Sequence, residues 1–230
     1  IVNKKIAILE YRKKKSFVTI YYPDREKEVF SFNFSGIKFI HTDERWLYQY
    51  KDNNINKISF KNNKIEVIWS KYAPNLHHEW SFDKDFNISA PQFFNLESHK
   101  NLASPKTKFF SDVLLNAKAP PYKTGEIFAE DAIFSMDKDG KIKDNIGLTE
   151  IFYNSGLKSL IYNAGLQIDP YHLNSVVRID QNFSNILPKK GDYILSLRHM
   201  SMIAIYRPNL KKIIWYKIGP WSNQHSAQIN

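Results

Sequence analysis

The chain has 230 residues, 43% hydrophobic and 15% aromatic, with a formal net charge of +10 and no cysteine. That length suits one large all-β domain or two small ones, with enough apolar residues to bury a sizeable core. The absence of cysteine excludes disulfides and thiolate zinc sites, and no apolar run approaches the roughly 18–20 residues of a membrane-spanning helix.

Short strand-like runs dominate the order of elements. Lys5–Leu9, Ser16–Tyr22 and Val29–Phe34 read as strands separated by Lys- and Asp-rich turns, and Trp46–Tyr50, Ile55–Phe60 and Lys64–Trp69 follow. Regular spacing of about ten residues points to a sandwich, barrel or propeller. Residues 91–124, with Pro91, Pro105, Pro120 and Pro121, read as a long loop. Ile127–Asp137 is the next strand, and Asp137–Lys141 is a hairpin turn, lacking the remaining oxygen ligands of a calcium loop. Residues 147–164 carry apolar side chains at helical spacing, interrupted at Asn154-Ser155-Gly156, so two short helices are expected. The strands His172–Asp180, Tyr193–Leu197, Met202–Tyr206 and Lys212–Lys217 complete the chain. With only eight glycines, Asn and Asp are expected at the tight turns.

The excess positive charge is scattered. Lys13–Lys15, Lys189–Lys190 and Lys211–Lys212 sit beside predicted turns or strand ends. There is no RNA-recognition signature and no basic amphipathic helix, so a nucleic-acid partner is not expected. No Gly-rich loop precedes a helix, which leaves nucleotide binding without support.

A weak repeat links Asn63–Lys71 to Leu210–Lys217: a turn, then Ile, then Ile-Trp. A histidine follows each Trp by about ten residues, His78 after Trp69 and His225 after Trp215. The distance from His172 to His225 is 53 residues and from His78 to His172 it is 94, near one and two propeller blades. Equivalent residues on the inner strands of a propeller converge on its axis. His78, His172 and His225 are therefore expected on inner strands around one site, with Asn174 two residues from His172 and on the same strand face. His77 is the alternative to His78; the Trp spacing favours His78. Arg198, ending a strand, offers a guanidinium fork for a sulfate or phosphate oxygen. His41 and His99 lie in loop-like sequence.

The segments Tyr171-His172-Leu173-Asn174-Ser175-Val176, Tyr193-Ile194-Leu195-Ser196-Leu197-Arg198-His199 and Gly219-Pro220 … Gln224-His225-Ser226-Ala227 resemble the bacterial arylsulfotransferase family. Leu76-His77-His78 followed by Asp85-Phe86-Asn87-Ile88 is similar to that family's His-His motif, and Asp131-Ala132-Ile133 … Asp137–Ile142 resembles its inter-blade turns. Leu197 stands where the family often has Ser. The resemblance implies an all-β fold, a six-bladed propeller of four-stranded blades, and a sulfotransferase independent of nucleotide sulfate donors. It implies a sulfohistidine at His225, a second active-site histidine at His172, a third at His78, and sulfate-binding partners at Asn174 and Arg198. It implies aryl sulfate and phenol substrates, no cofactor and no metal, a periplasmic or extracellular location, and room for a homo-oligomer. The chain is expected to form a single propeller domain over 1–230; because 230 residues at about 50 per blade hold fewer than five blades, it is either a fragment of a longer chain or a reduced propeller. A non-catalytic propeller serving as a binding or surface-assembly module is the competing reading, and a phospho- or sulfo-ester hydrolase the third.

Overall fold

The computed structural model describes residues 6–12, 15–22, 25–32, 40–42, 46–61, 64–78, 80–85, 87–95, 129–164, 169–183 and 187–229. The chain divides into two compact units, Ile1–Pro74 and Asn75–Asn230. The described residues are mostly antiparallel β-sheet, and no helix among them is long and apolar enough to cross a membrane.

The first unit holds β1 (Ile6–Arg12), β2 (Lys15–Tyr22) and β3 (Arg25–Phe32) in one sheet. A second sheet is a four-stranded meander of β4 (Ile40–Thr42), β5 (Trp46–Lys51), β6 (Asn54–Lys61) and β7 (Lys64–Tyr72). Lys51 pairs with Asn54, leaving Asp52-Asn53 as a two-residue turn with φ of 49° and 60°. Asn and Asp tolerate that left-handed backbone, so this hairpin closes without glycine. His41, expected in a loop, lies in β4.

The second unit repeats the meander twice. One sheet is β8 (Ser81–Phe82), β9 (Ile88–Asn95), β10 (Ala129–Met136) and β11 (Ile142–Gly147); the other is β12 (Leu173–Arg178), β13 (Tyr193–Leu197), β14 (Met202–Arg207) and β15 (Lys212–Ile218). Between them run α1 (Leu148–Asn154) and α2 (Lys158–Asn163), separated at Ser155-Gly156 as the periodicity predicts. Gly156 has φ of 72°, a conformation that stops a helix without a Cβ penalty.

The long loop expected from residue 91 does not begin there: Pro91 lies inside β9, opposite Ile133. Its carbonyl faces the irregular segment before β8 and accepts from the His77 amide at 3.1 Å. The missing Pro91 N–H therefore falls where no regular strand needs a donor. Residues 96–128, the rest of that loop and the start of the Ile127 strand, lie outside the described residues, with His99 among them. Asp131-Ala132-Ile133, likened to an inter-blade turn, is buried strand within β10, and Asp137–Lys141 turns within one sheet.

The core of this unit packs α1 and α2 between strands of both sheets, around Ile133, Phe152, Tyr171, Leu195, Tyr193 and Tyr206. Ser81 Oγ donates to the Val176 carbonyl at 2.6 Å, and Arg178 Nη1 to Asp83 Oδ2 at 2.9 Å, tying β12 to the β8 end of the other sheet. Asp83 also accepts from the amides of Asp85 and Asn87, closing the β8–β9 turn. That is the local role of the Asp85–Ile88 motif.

Candidate functional site

Each of the three histidines singled out in the sequence follows the fourth strand of a meander. His78 lies after β7 and before β8, His172 after β11 and α2 and immediately before β12, and His225 after β15. They are not within strands, as the blade-repeat argument expected, but on the connecting segments before or after them. The reason is visible in the backbone: His78 and His172 have φ of 55° and 48°, and Asn223 and Ser226 beside His225 have 54° and 55°. A left-handed residue cannot continue a strand.

The rings nevertheless meet. His78 is central, its ring centroid 5.2 Å from His172, 5.4 Å from His225 and 4.8 Å from His77. His199 joins from the β13–β14 turn, 4.5 Å from His172. His77 and His199 both belong to motifs legible in the sequence, but only the fold shows that all five histidines form one cluster.

Carboxylates orient these rings. His172 Nδ1 lies 2.6 Å from Asp169 Oδ2, and the His172 amide donates to Asp169 Oδ1 at 2.8 Å. A carboxylate only accepts, so Nδ1 carries the hydrogen and Nε2 is the ring's reactive end. His199 Nδ1 donates to the Asp169 carbonyl at 2.6 Å, while its Nε2 accepts from Arg198 Nη1 at 3.1 Å. His77 Nε2 lies 3.1 Å from Asp131 Oδ1, whose partner Oδ2 accepts from the Leu173 amide at 2.9 Å. Nothing in the spacing of the sequence marks Asp131 or Asp169, which are 38 residues apart.

Burial, then the neighbouring His77, His172 and His225, lower the pKa of His78 to about 4, so it is neutral at pH 7. His172 is also lowered, chiefly by burial, with Asp169 opposing and His199 and Arg198 adding to the shift. Asp131 is raised well above the usual carboxylate range, first by burial and then by the charge of Asp169.

Arg198 sits at the turn after β13, half-buried, its amide donating to the His172 carbonyl at 3.1 Å. The contrast with two other arginines of the unit is informative. Arg178 pairs with Asp83, and Arg207 holds Asp192 through two 2.8 Å bonds. Arg198 has no carboxylate partner among the described residues; its hydrogen bond goes to a neutral imidazole. A half-buried guanidinium with donors to spare is suited to an anion.

Asn174 does not simply share a strand face with His172. The register slips between Leu173 and Ser175, making Asn174 the extra residue of a β-bulge. It is buried, its Nδ2 donates to the Gln224 carbonyl at 2.6 Å, and its Oδ1 has no partner among the described residues. Gln224 is itself anchored, donating through Nε2 to the carbonyls of Leu197 and Met202 at 3.0 and 3.1 Å. These bonds fix the residue next to the exposed His225. Upstream, a Cβ on Gly219 would collide with the Trp221 ring, so the return of the chain after β15 favours glycine there.

Asp169, His172 and His199 also present three ligand atoms within 4.8 Å of one another. Nδ1 of His199 is engaged with a carbonyl and its Nε2 with a guanidinium, so a cation would have to displace one of these bonds.

A family model described as Arylsulfotransferase (ASST) matches residues 57–230, which takes in every residue of this cluster. No curated protein matches the chain.

Proposed function

The chain belongs to the arylsulfotransferase family, and on that premise we propose that it moves a sulfuryl group from an aryl sulfate to a phenol through a sulfohistidine on His225. The observation that carries this reading is the un-neutralised Arg198 at the edge of a cluster in which the rings of His172 and His225 each lie within 5.4 Å of His78. A neutral imidazole is a competent nucleophile, and an anionic ester needs cationic and amide donors around its oxygens.

In the first half-reaction a ring nitrogen of His225 attacks sulfur as the S–O bond to the aryl group breaks. His172, starting as an imidazolium whose Nδ1–H is held by Asp169, gives the proton on Nε2 to the departing phenolate and is left as the Nδ1–H imidazole. In the second half, Nε2 takes the proton of the acceptor phenol, whose oxygen attacks sulfur as the N–S bond breaks. Sulfuryl transfer resembles phosphoryl transfer in placing most of the work on positioning and charge. Arg198 and the amide hydrogen of Asn174 not used by Gln224 hold the sulfuryl oxygens, and His78 packs the neutral wall between the two reacting histidines. No nucleotide donor, cofactor or metal enters this scheme. The four-stranded meanders are read as blades of one propeller domain, acting in the periplasm or outside the cell.

The test is intact mass after incubation with an aryl sulfate and no acceptor. One adduct of about 80 Da on His225, with a burst of one phenol, is the expected signature of a covalent intermediate. His225→Asn abolishes both. An adduct on His78 or His172 would reassign the roles, and a folded protein without adduct would favour the binding-module reading.

A further inference from the structure

We infer that His199 is a positioning residue that holds the Arg198 guanidinium in place without neutralising it; this rests on the transferase reading only for its effect on turnover. His199 Nδ1 lies 2.6 Å from the Asp169 carbonyl, and its Nε2 lies 3.1 Å from Arg198 Nη1. A carbonyl only accepts, so Nδ1 carries a hydrogen. A guanidinium only donates, so Nε2 presents its lone pair. Both neighbours therefore demand the same neutral tautomer. An imidazolium would set a second N–H against the guanidinium and bring two positive charges together.

With both nitrogens engaged, His199 has none left to attack sulfur or to pass a proton, although its ring centroid is 4.5 Å from that of His172. It stands instead as a strut between Asp169 and Arg198. Asp169 serves two rings at once: its carboxylate accepts from the amide and Nδ1 of His172, and its carbonyl accepts from His199. One residue before β12 thus orients the proton donor and, through His199, the group that receives the anion.

The neutrality of the strut is what suits it to an anion site. Arg178 and Arg207 are held by Asp83 and Asp192, and each spends its charge on that partner. Arg198 is held by an uncharged ring through one nitrogen, which leaves its charge and its other donors for a bidentate grip on sulfuryl oxygens. Its main chain is fixed separately, the amide donating to the His172 carbonyl and the carbonyl accepting from the Ser201 amide, both at 3.1 Å. Among the described residues, the bond to His199 is therefore the contact that sets the direction of the fork.

Two substitutions separate the two ends of the strut. In His199→Asn the amide reaches the place of Nδ1 and still donates to the Asp169 carbonyl, but falls short of Arg198. In His199→Gln the amide oxygen reaches the place of Nε2 and accepts from Arg198. Losing the hold on a binding group misplaces it, so His199→Asn should lower kcat/KM for an aryl sulfate at least about tenfold, and His199→Gln should stay within about threefold of the wild type. In an Arg198→Ala background nothing is left to hold, and His199→Asn should cost less than about threefold more. Nitrogen-15 spectra of the wild type at pH 8 should show the Nδ1–H tautomer of His199. An Nε2–H tautomer, equal turnover in His199→Asn and His199→Gln, or equal losses from His199→Asn in the two backgrounds overturns the proposal. If the wild type turns over no aryl sulfate, the transferase reading fails, while the tautomer and the same cycle measured on the Kd of inorganic sulfate still decide the role of His199. If His199→Asn does not fold, the wild-type tautomer, which needs no variant, and His199→Leu in the same cycle decide it.

Discussion

Glu130 is fully enclosed behind α1, and replacing it by Gln should stabilise the protein at neutral pH while doing little in acid. Its Oε1 accepts from the Thr149 amide at 2.8 Å, and its Oε2 meets Thr149 Oγ1, which lies 2.7 Å from the Tyr171 hydroxyl. Burial pushes its pKa from 4.5 up to about 8, the Thr149 bonds opposing only in part. Between those two values the unfolded chain ionises this carboxyl while the folded protein keeps it protonated. The folded state then binds more protons, so stability falls as pH rises, by about 1.4 kcal/mol per unit. The penalty is absent below the unfolded pKa and complete above the folded one. From pH 5 to pH 7 it grows by about 3 kcal/mol, on the order of 5–10 °C in Tm for a chain of this size. In Glu130→Gln the amide NH2 takes the place of the carboxyl O–H, donating to Thr149 Oγ1, and Oε1 still accepts from the Thr149 amide. The assay is thermal or urea unfolding at pH 5, 6, 7 and 8. The variant's advantage should grow along that series, while a slope of the same sign from Asp131, also raised by burial, persists in both proteins. Equal destabilisation by Glu130→Gln at all four pH values would refute the reasoning, since the site would then need the carboxyl itself.

Gly147→Ala would place a Cβ 2.5 Å from Glu130 Oε1, a backbone-anchored carboxyl with no room to retreat, and should cost about 1–3 kcal/mol in chemical denaturation. Arg198→Lys keeps the charge but loses the planar fork, so aryl sulfate turnover should fall at least tenfold with unfolding unchanged. His172→Asn should slow the phenol burst most for poor leaving groups, which need protonation, and a uniform slowing across leaving groups would remove His172 as the acid. His78 should carry a single ring proton by NMR at pH 6 and gain the second only as the pH is lowered toward 4, because burial and three neighbouring rings lower its pKa.

The parts of this site legible in the sequence are those marked by local chemistry. The Ile-Trp repeat falls on β7 and β15, the fourth strands of two meanders, so the histidine after each occupies an equivalent place in the chain. The helix pair was readable from its period and from Gly156. What alternation could not supply was the backbone at His78 and His172: a period of two assumes extended residues, and both are left-handed. The same assumption put Asn174 beside His172, where a bulge instead directs it to Gln224. In the sequence Asp131 reads only as part of a turn motif and Asp169 not at all, because nothing distinguishes a buried carboxylate from a solvated one in a single sequence. Pro91 misled for a related reason: proline argues against a strand interior, but not where its missing donor faces an irregular neighbour.

The strained residues and the hydrogen bonds that hold them fall at the same places. Left-handed backbone at a non-glycine residue persists only where its surroundings over-determine it. His172 is held through its amide by Asp169, and its carbonyl by the Arg198 amide. The segment leading to His78 is held by the His77 amide on Pro91 and the His77 ring on Asp131. His225, between left-handed Asn223 and Ser226, follows a glutamine with two side-chain bonds to the β13–β14 hairpin and a carbonyl bonded to Asn174. The returns before His78 and His225 are thus fastened to strands, β9 and β10 for the first and β13 and β14 for the second, and the return at His172 to Asp169 and to the turn after β13. A cluster built this way presents its rings at fixed distances, and the bonds that position His172 run through its amide, carbonyl and Nδ1 rather than Nε2, the pre-set geometry that a transfer of the proposed kind needs.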